Sequence, residues 1–136
     1  MRDISIEQIM TPDPATISPQ SSAAEARRLL ESNFINHLPV VEGDRLVGIV
    51  SSSDLLKLHL LDDRLAIFTR ATVDQIMETN LVVLNKRATL REAAEKLSMG
   101  SFHALPVVNK KRRLVGIVTS SDLIGELVKY LPDGFG

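Results

Sequence analysis

Apolar and polar positions follow one another along this chain in blocks that occur twice. Over residues 22–32, Ala23, Ala26, Leu29 and Leu30 recur at the three- and four-residue spacing of a helix with one apolar face. Leu90, Ala93, Ala94 and Leu97 repeat that face later in the chain, and the small side chains on it predict close helix packing. Residues 38–42 and 45–51 are apolar and rich in β-branched side chains, with Gly43-Asp44 between them, a pattern that predicts a hairpin. Ser52 or Ser53 is placed to cap a helix running to Leu61. Ahead of these, residues 5–10 read as a helical turn that Thr11-Pro12-Asp13-Pro14 stops, because proline disfavours helix for the residue before it. A short strand over residues 15–17 follows, and Ser18-Pro19 marks the helix start. Each block thus reads helical turn, strand, helix, strand, strand, helix. The final helix, over residues 121–131, aligns Leu123, Ile124, Leu127, Val128 and Leu131 in one stripe, which serves either an internal core or a dimer interface.

The doubling extends to individual residues. Leu46-Val47-Gly48-Ile49-Val50-Ser51-Ser52-Ser53-Asp54-Leu55 returns as Leu114-Val115-Gly116-Ile117-Val118-Thr119-Ser120-Ser121-Asp122-Leu123, with one conservative change. Leu38-Pro39-Val40-Val41 returns as Leu105-Pro106-Val107-Val108, and Ile9-Met10 as Ile76-Met77, both 67 positions later. The offset grows to 68 within the second hairpin loop, which carries one extra residue. Such duplication predicts two similar units about a pseudo-twofold axis with paired sites between them. The repeats fall at residues 1–66 and 67–136, joined by residues 62–72, which contain neither Gly nor Pro and are expected to be partly helical. A unit of about 65 residues buries too little surface to be comfortably stable alone, so two half-domains sharing one core are expected, of mixed α/β (α+β) class.

Composition narrows the function. Sixteen basic residues against seventeen acidic ones give a net charge of −1, so no global field draws the chain to nucleic acid or to an anionic membrane. With no cysteine, disulfides, thiolate chemistry and cysteine metal sites are excluded. No apolar run approaches the length of a membrane span and no signal peptide is evident, which makes the cytoplasm the default compartment. No phosphate loop, zinc spacing or nucleophile elbow appears, and His59 has no second His or Cys one turn on. Neither catalysis nor a metal or other resident cofactor is therefore expected. The run Lys110-Lys111-Arg112-Arg113 at the second hairpin tip reads as a solvated turn or a polyanion contact.

The remaining chemistry lies where each Gly-Ile-Val-(Ser/Thr) strand passes two serines and opens a helix with Asp. A hydroxyl and a carboxylate sit there beside backbone N–H groups that have no intrahelical partner. Those amides suit an anion such as phosphate, and the carboxylate suits the two hydroxyls of a ribose. The same residues also suit a helix cap that does nothing more.

Two such motifs, each with a Leu-Pro-Val-Val strand and an Ile-Met opening, closely resemble the tandem cystathionine β-synthase (CBS) domain pair, or Bateman module, over essentially the whole chain. The resemblance implies repeats packed through their sheets, each β-α-β-β-α with a short preceding helix, around two clefts. It implies a non-enzymatic sensor of adenosine-containing ligands (AMP, ADP, ATP, S-adenosylmethionine or NAD) that acts on an unidentified regulated protein in a separate chain. Phosphate and ribose would be held by Thr119 and Asp122, or by Ser51 and Asp54. The base would lie against Thr16, Ile17 and Ile117 in one cleft and against Val83, Leu84 and Ile49 in the other. Where the family often has Arg or His near the phosphate, this chain has Asn36 and His37 in the first copy and His103 in the second. A homodimer is implied as well. The alternative is a structural dimerisation or protein-interaction module with empty clefts.

Overall fold

The computed structural model describes residues 4–61 and 70–132. The joining segment expected at residues 62–72 lies mostly outside these. Ser5 opens a 3-10 turn, Ile6–Gln8, and Thr11–Pro12 is extended as β1. Ser22 caps α1 (Ala23–Ser32) by accepting from the Glu25 amide at 3.1 Å. The hairpin β2 (His37–Glu42) and β3 (Arg45–Ser51) runs directly into α2 (Ser52–Leu61). The second block supplies α3 (Val73–Ile76), β4 (Leu84–Asn85), α4 (Leu90–Ser98), β5 (Ala104–Val108), β6 (Leu114–Thr119) and α5 (Ser120–Val128).

The compact units cut across the repeats. One takes described residues from 1–13, 82–110 and 115–136; the other takes those from 14–81 and 111–114. The first unit holds a sheet in the order β1-β6-β5-β4, with β1 antiparallel to β6 and β4 parallel to β5. The second reproduces that order with the β2–β3 hairpin at its centre. Glu78 bridges Ile49 antiparallel on one side, and Ile17 bridges Val40 parallel on the other. Thus the segment before each repeat's first strand pairs with the other repeat's hairpin.

The reading of residues 11–17 is corrected by this pairing. Residues 15–17 reduce to the single bridging residue Ile17, whereas Thr11-Pro12, read as a stop, forms an edge strand on Ile117 and Gly116. Proline is tolerated there because an edge leaves its missing N–H unneeded. The buried apolar residues of the two units are grouped separately. Ile17, Ala23, Ala26, Leu30, Leu38, Val40, Val50, Leu55 and Val73 form one buried cluster, and Ile6, Leu84, Ala88, Ala93, Leu97, Leu105, Val107 and Val118 form another. Each takes one fully buried apolar side chain from the crossing segment, Val73 or Ile6, with partly buried ones beside it.

Backbone detail follows the residues. Gly43, at φ +65°, makes the two-residue turn between paired Glu42 and Arg45. The last helix stops at Val128, short of Leu131, because Lys129, Tyr130 and Leu131 tighten into three-residue hydrogen bonds ahead of Pro132. Ala94, expected on the apolar face of its helix, is exposed.

Gly48 and Gly116 explain the paired Ile-Met landmarks. A Cβ on Gly48 would stand 2.5 Å from Met77 Sδ and 3.2 Å from the Glu78 carbonyl oxygen. On Gly116 it would meet Met10 in the same way and the Thr11 carbonyl oxygen at 3.0 Å. The methionine crosses the strand where only glycine leaves room, and the next residue makes the edge pairing. We predict that Gly48→Ala lowers the unfolding free energy by about 1–3 kcal/mol in urea melts. Part of that loss is recovered when Met77→Ala is added, because the two substitutions share one contact.

Phe34 occupies the residue after the α1 cap at φ +54° and is 94% exposed. Its amide donates to Glu31 O and that of Ile35 to Leu30 O, the pairing of a Schellman turn, in which glycine is usual. Phe34→Gly is expected to raise stability by roughly 0.5–1 kcal/mol, and Phe34→Ala by less, since only glycine relieves the left-handed backbone. Equal effects of both substitutions in denaturant unfolding would show that the exposed ring, not the backbone, carries the cost.

Candidate functional site

Both strand-to-helix junctions adopt the same reciprocal geometry. At the end of β3, the Asp54 amide donates to Ser51 Oγ at 3.1 Å and the Ser51 amide donates to Asp54 Oδ2 at 2.9 Å. At the end of β6, the Asp122 amide donates to Thr119 Oγ1 at 3.3 Å and the Thr119 amide to Asp122 Oδ2 at 2.8 Å. All four residues are half-buried. The reading as a helix cap is therefore met, but it engages only one carboxylate oxygen. Oδ1 of each Asp makes no hydrogen bond or ion pair among the described residues. Each hydroxyl accepts from the chain and keeps its own proton for donation. One junction thus presents a spare carboxylate oxygen and a hydroxyl donor beside the positive end of a helix.

The start of the preceding strand closes each junction. The Ser52 amide donates to Asn36 O at 2.9 Å, and the Ser120 amide to His103 O at 3.1 Å. Asn36 and His103 therefore occupy equivalent places, and both are exposed. Their side chains behave differently, since Asn36 Oδ1 accepts from Ser52 Oγ at 3.2 Å. His37 begins β2, half-buried, opposite Ser51 in the hairpin register.

The apolar site residues divide between surface and core. Thr16 is exposed; Val83 and Ile49 are half-buried. Ile17, at 5% exposure, and Leu84, at 1%, turn their side chains into the two cores, and Ile117 is buried as well. The backbone of Ile17 is fully engaged, its N–H donating to Pro39 O and its C=O accepting from Val41 N. The structure brings Ser51, Asp54, Asn36 and His37 together in one unit, and Thr119, Asp122 and His103 in the other. The bond between Ser52 and Asn36 escaped the sequence reading, although the repeat offset marks both positions against Ser120 and His103. Among the described residues no cluster of His, Asp or Glu is placed to hold a metal ion, and no helix is long and apolar enough to cross a membrane.

Comparison with known proteins places these junctions in context. The family described as CBS domain matches residues 6–60 and 73–129. A homoserine O-acetyltransferase of Methanohalobium evestigatum is 38% identical over 120 residues, which are 87% of this chain but 23% of that protein. The chain thus spans about a quarter of the length of the first curated relatives it matches. Among solved structures, the CBS domain pair of protein MJ0100 in complex with 5′-methylthioadenosine and S-adenosyl-L-methionine superposes with a TM-score of 0.84 at 30% identity, covering 96% of this chain and all of that one. CBSX2 in complex with AMP gives a TM-score of 0.81 at 28% identity, over 93% of this chain and 98% of that one. With both copies of the motif matched and both folded alike, this protein belongs to the CBS domain family and carries the domain twice.

Proposed function

We propose that the protein is a non-catalytic regulatory module of the cytoplasm that binds adenosine-containing ligands at its two strand-to-helix junctions and passes that state to a separate protein. The observation that carries this reading is the spare carboxylate oxygen of Asp54 and of Asp122, held still by the cap its other oxygen makes. A ribose diol donates two hydrogen bonds, and such an oxygen accepts without presenting a donor of its own. AMP in one structural relative, and 5′-methylthioadenosine with S-adenosyl-L-methionine in another, share the adenosine portion that this chemistry would grip. Regulation follows from differential affinity: the ligand shifts the conformational balance only as far as it binds one arrangement better than another.

We also propose a homodimer, formed through the face where α4 and α5 meet. A groove of about 500 Å³ opens there over Leu90, Ala94, Leu123, Ile124, Leu127 and Tyr130. The equivalent face of α1 and α2 carries a smaller hollow, about 240 Å³, lined in part by Arg27, Glu31 and His59. At the repeat offsets those three positions become Ala94, Ser98 and Leu127. The rim of the larger groove is charge-balanced, with Arg91 and Lys129 against Glu95 and Glu126, as a surface that meets its own copy requires. Lys129 Nζ lies 2.9 Å from Glu126 Oε2, a hydrogen bond that holds the ammonium pKa above its usual value.

Calorimetric titration tests the ligand reading. Asn in place of Asp54 or Asp122 keeps an acceptor for the cap but turns an NH₂ outward where the second oxygen stood. Asp122→Asn and Asp54→Asn are each expected to leave the melting temperature nearly unchanged and to weaken AMP at the altered junction at least about tenfold. Wild-type protein is expected to prefer AMP to 2′-deoxy-AMP for the same reason. Asn variants that titrate like wild type would reduce both residues to caps and favour the interaction module with empty clefts.

Sedimentation tests the dimer. Leu127→Glu places a charge in the groove and is expected to give monomers, whereas His59→Glu on the equivalent face is expected to leave the dimer intact. A wild-type protein that sediments as a monomer at tens of micromolar removes the proposal.

A further inference from the structure

The hairpin edge holds an arrangement that neither the nucleotide reading nor the dimer uses. Leu46 N donates to Arg112 O at 3.2 Å and Leu114 N donates to Asp44 O at 3.0 Å, so Arg45 and Arg113 form an antiparallel bridge. Both segments belong to the same compact unit. Because the hydrogen bonds flank the pair, it is the non-hydrogen-bonded kind, whose Cα atoms approach to about 4.5 Å and whose side chains leave from the same face. Like charges placed this way repel. Lys111 and Arg112 sit in the adjoining turn, Arg112 with φ +62°, and all four cations are exposed. Two carboxylates share the turn region, Asp44 and Glu42. Asp44 Oδ2 reaches Arg113 Nε at 3.2 Å. Arg45 and Arg112 make no ion pair among the described residues.

From this we infer that the Arg45–Arg113 edge, with Lys111 and Arg112, docks a carboxylate-rich segment of a protein partner. Two neighbouring guanidinium forks match the planar, two-oxygen geometry of successive acidic side chains. A protein is favoured over nucleic acid for two reasons. The turn residues 42–45 and 109–113 include no aromatic side chain on which a base would stack, and the chain as a whole is slightly acidic, so it lacks the field that draws proteins to polyanionic duplexes. The inference deepens the regulatory reading by naming the partner's chemistry, and it stands apart from the two junctions. Nucleotide titration and peptide binding therefore succeed or fail separately.

Fluorescence anisotropy with a labelled octaglutamate peptide provides the test. The intact chain is expected to bind it at low salt, with affinity falling as salt rises. Arg45→Thr combined with Arg112→Gly removes two cations while suiting a strand and a left-handed turn, so the fold is expected to survive, as circular dichroism and thermal melting would show. That double variant should lose about fivefold in affinity. Lys57→Gln with Arg70→Gln removes the same charge from other exposed positions of that unit and should bind as wild type. No peptide binding at low salt, equal weakening by both double variants, or a short DNA duplex binding as tightly as the peptide at matched salt would each overturn the assignment.

Discussion

The close passage of a methionine over a glycine in the neighbouring strand holds each unit together. With no side chain at Gly48 or Gly116, Met77 and Met10 have room to pass close over the strand. The residue after each methionine then reaches the ladder, Glu78 exchanging both hydrogen bonds with Ile49 and Thr11 pairing with Ile117. That extra edge fixes the strand two residues before Ser51 or Thr119, the point at which it must stop and a helix begin. The reciprocal cap depends on this end being fixed, because a shift of one residue would turn the hydroxyl to the other face of the sheet. Glycine, methionine, hydroxyl and aspartate thus form one mechanical series, and all four recur together in both copies.

Duplication makes each copy a control for the other. The junctions are alike in hydrogen bonding to within a few tenths of an ångström, yet the residue closing each differs, an amide held by Ser52 in one and an imidazole in the other. The helix faces differ more, since Arg27, Glu31 and His59 are replaced by Ala94, Ser98 and Leu127. The α1 face is dressed for water, with Arg27 bonded to Glu31 and Arg28 to Glu25, whose carboxyl pKa the Arg28 hydrogen bond lowers. Shared geometry with unshared surfaces is what a pair of repeats shows when the fold is kept for one purpose and the exterior for another.

Much of this was legible in the residues. Helical spacing located α1 to within a residue and marked most of the apolar face of α4, Gly43-Asp44 located the first hairpin turn, and the repeated Ser/Thr-x-x-Asp located both junctions. What the sequence hid was long-range. Nothing local in Thr11-Pro12 says that it extends along β6, and no periodicity says that Val73 completes the core begun by Ile17. Burial was hidden too: Ile17 and Leu84, expected beside the base, turn their side chains into the two cores. The basic turn read as a solvated one because its partner across the bridge, Arg45, is distant in sequence from Arg113.

The crossing of the chain between units also bears on how the protein is made. The unit that contains β5 and β6 needs Ile6 and the β1 segment, which leave the ribosome well before β6, about a hundred residues behind. The other unit closes earlier, once Val73 and Glu78 have emerged, although it still borrows residues 111–114. Contacts this distant in sequence slow the search for the native pairing, so the nascent β1 segment spends time as an unpaired edge with an apolar residue exposed. Severing the chain at the repeat boundary would leave two fragments, each with the other's closing segment, able to regain the fold only as a pair.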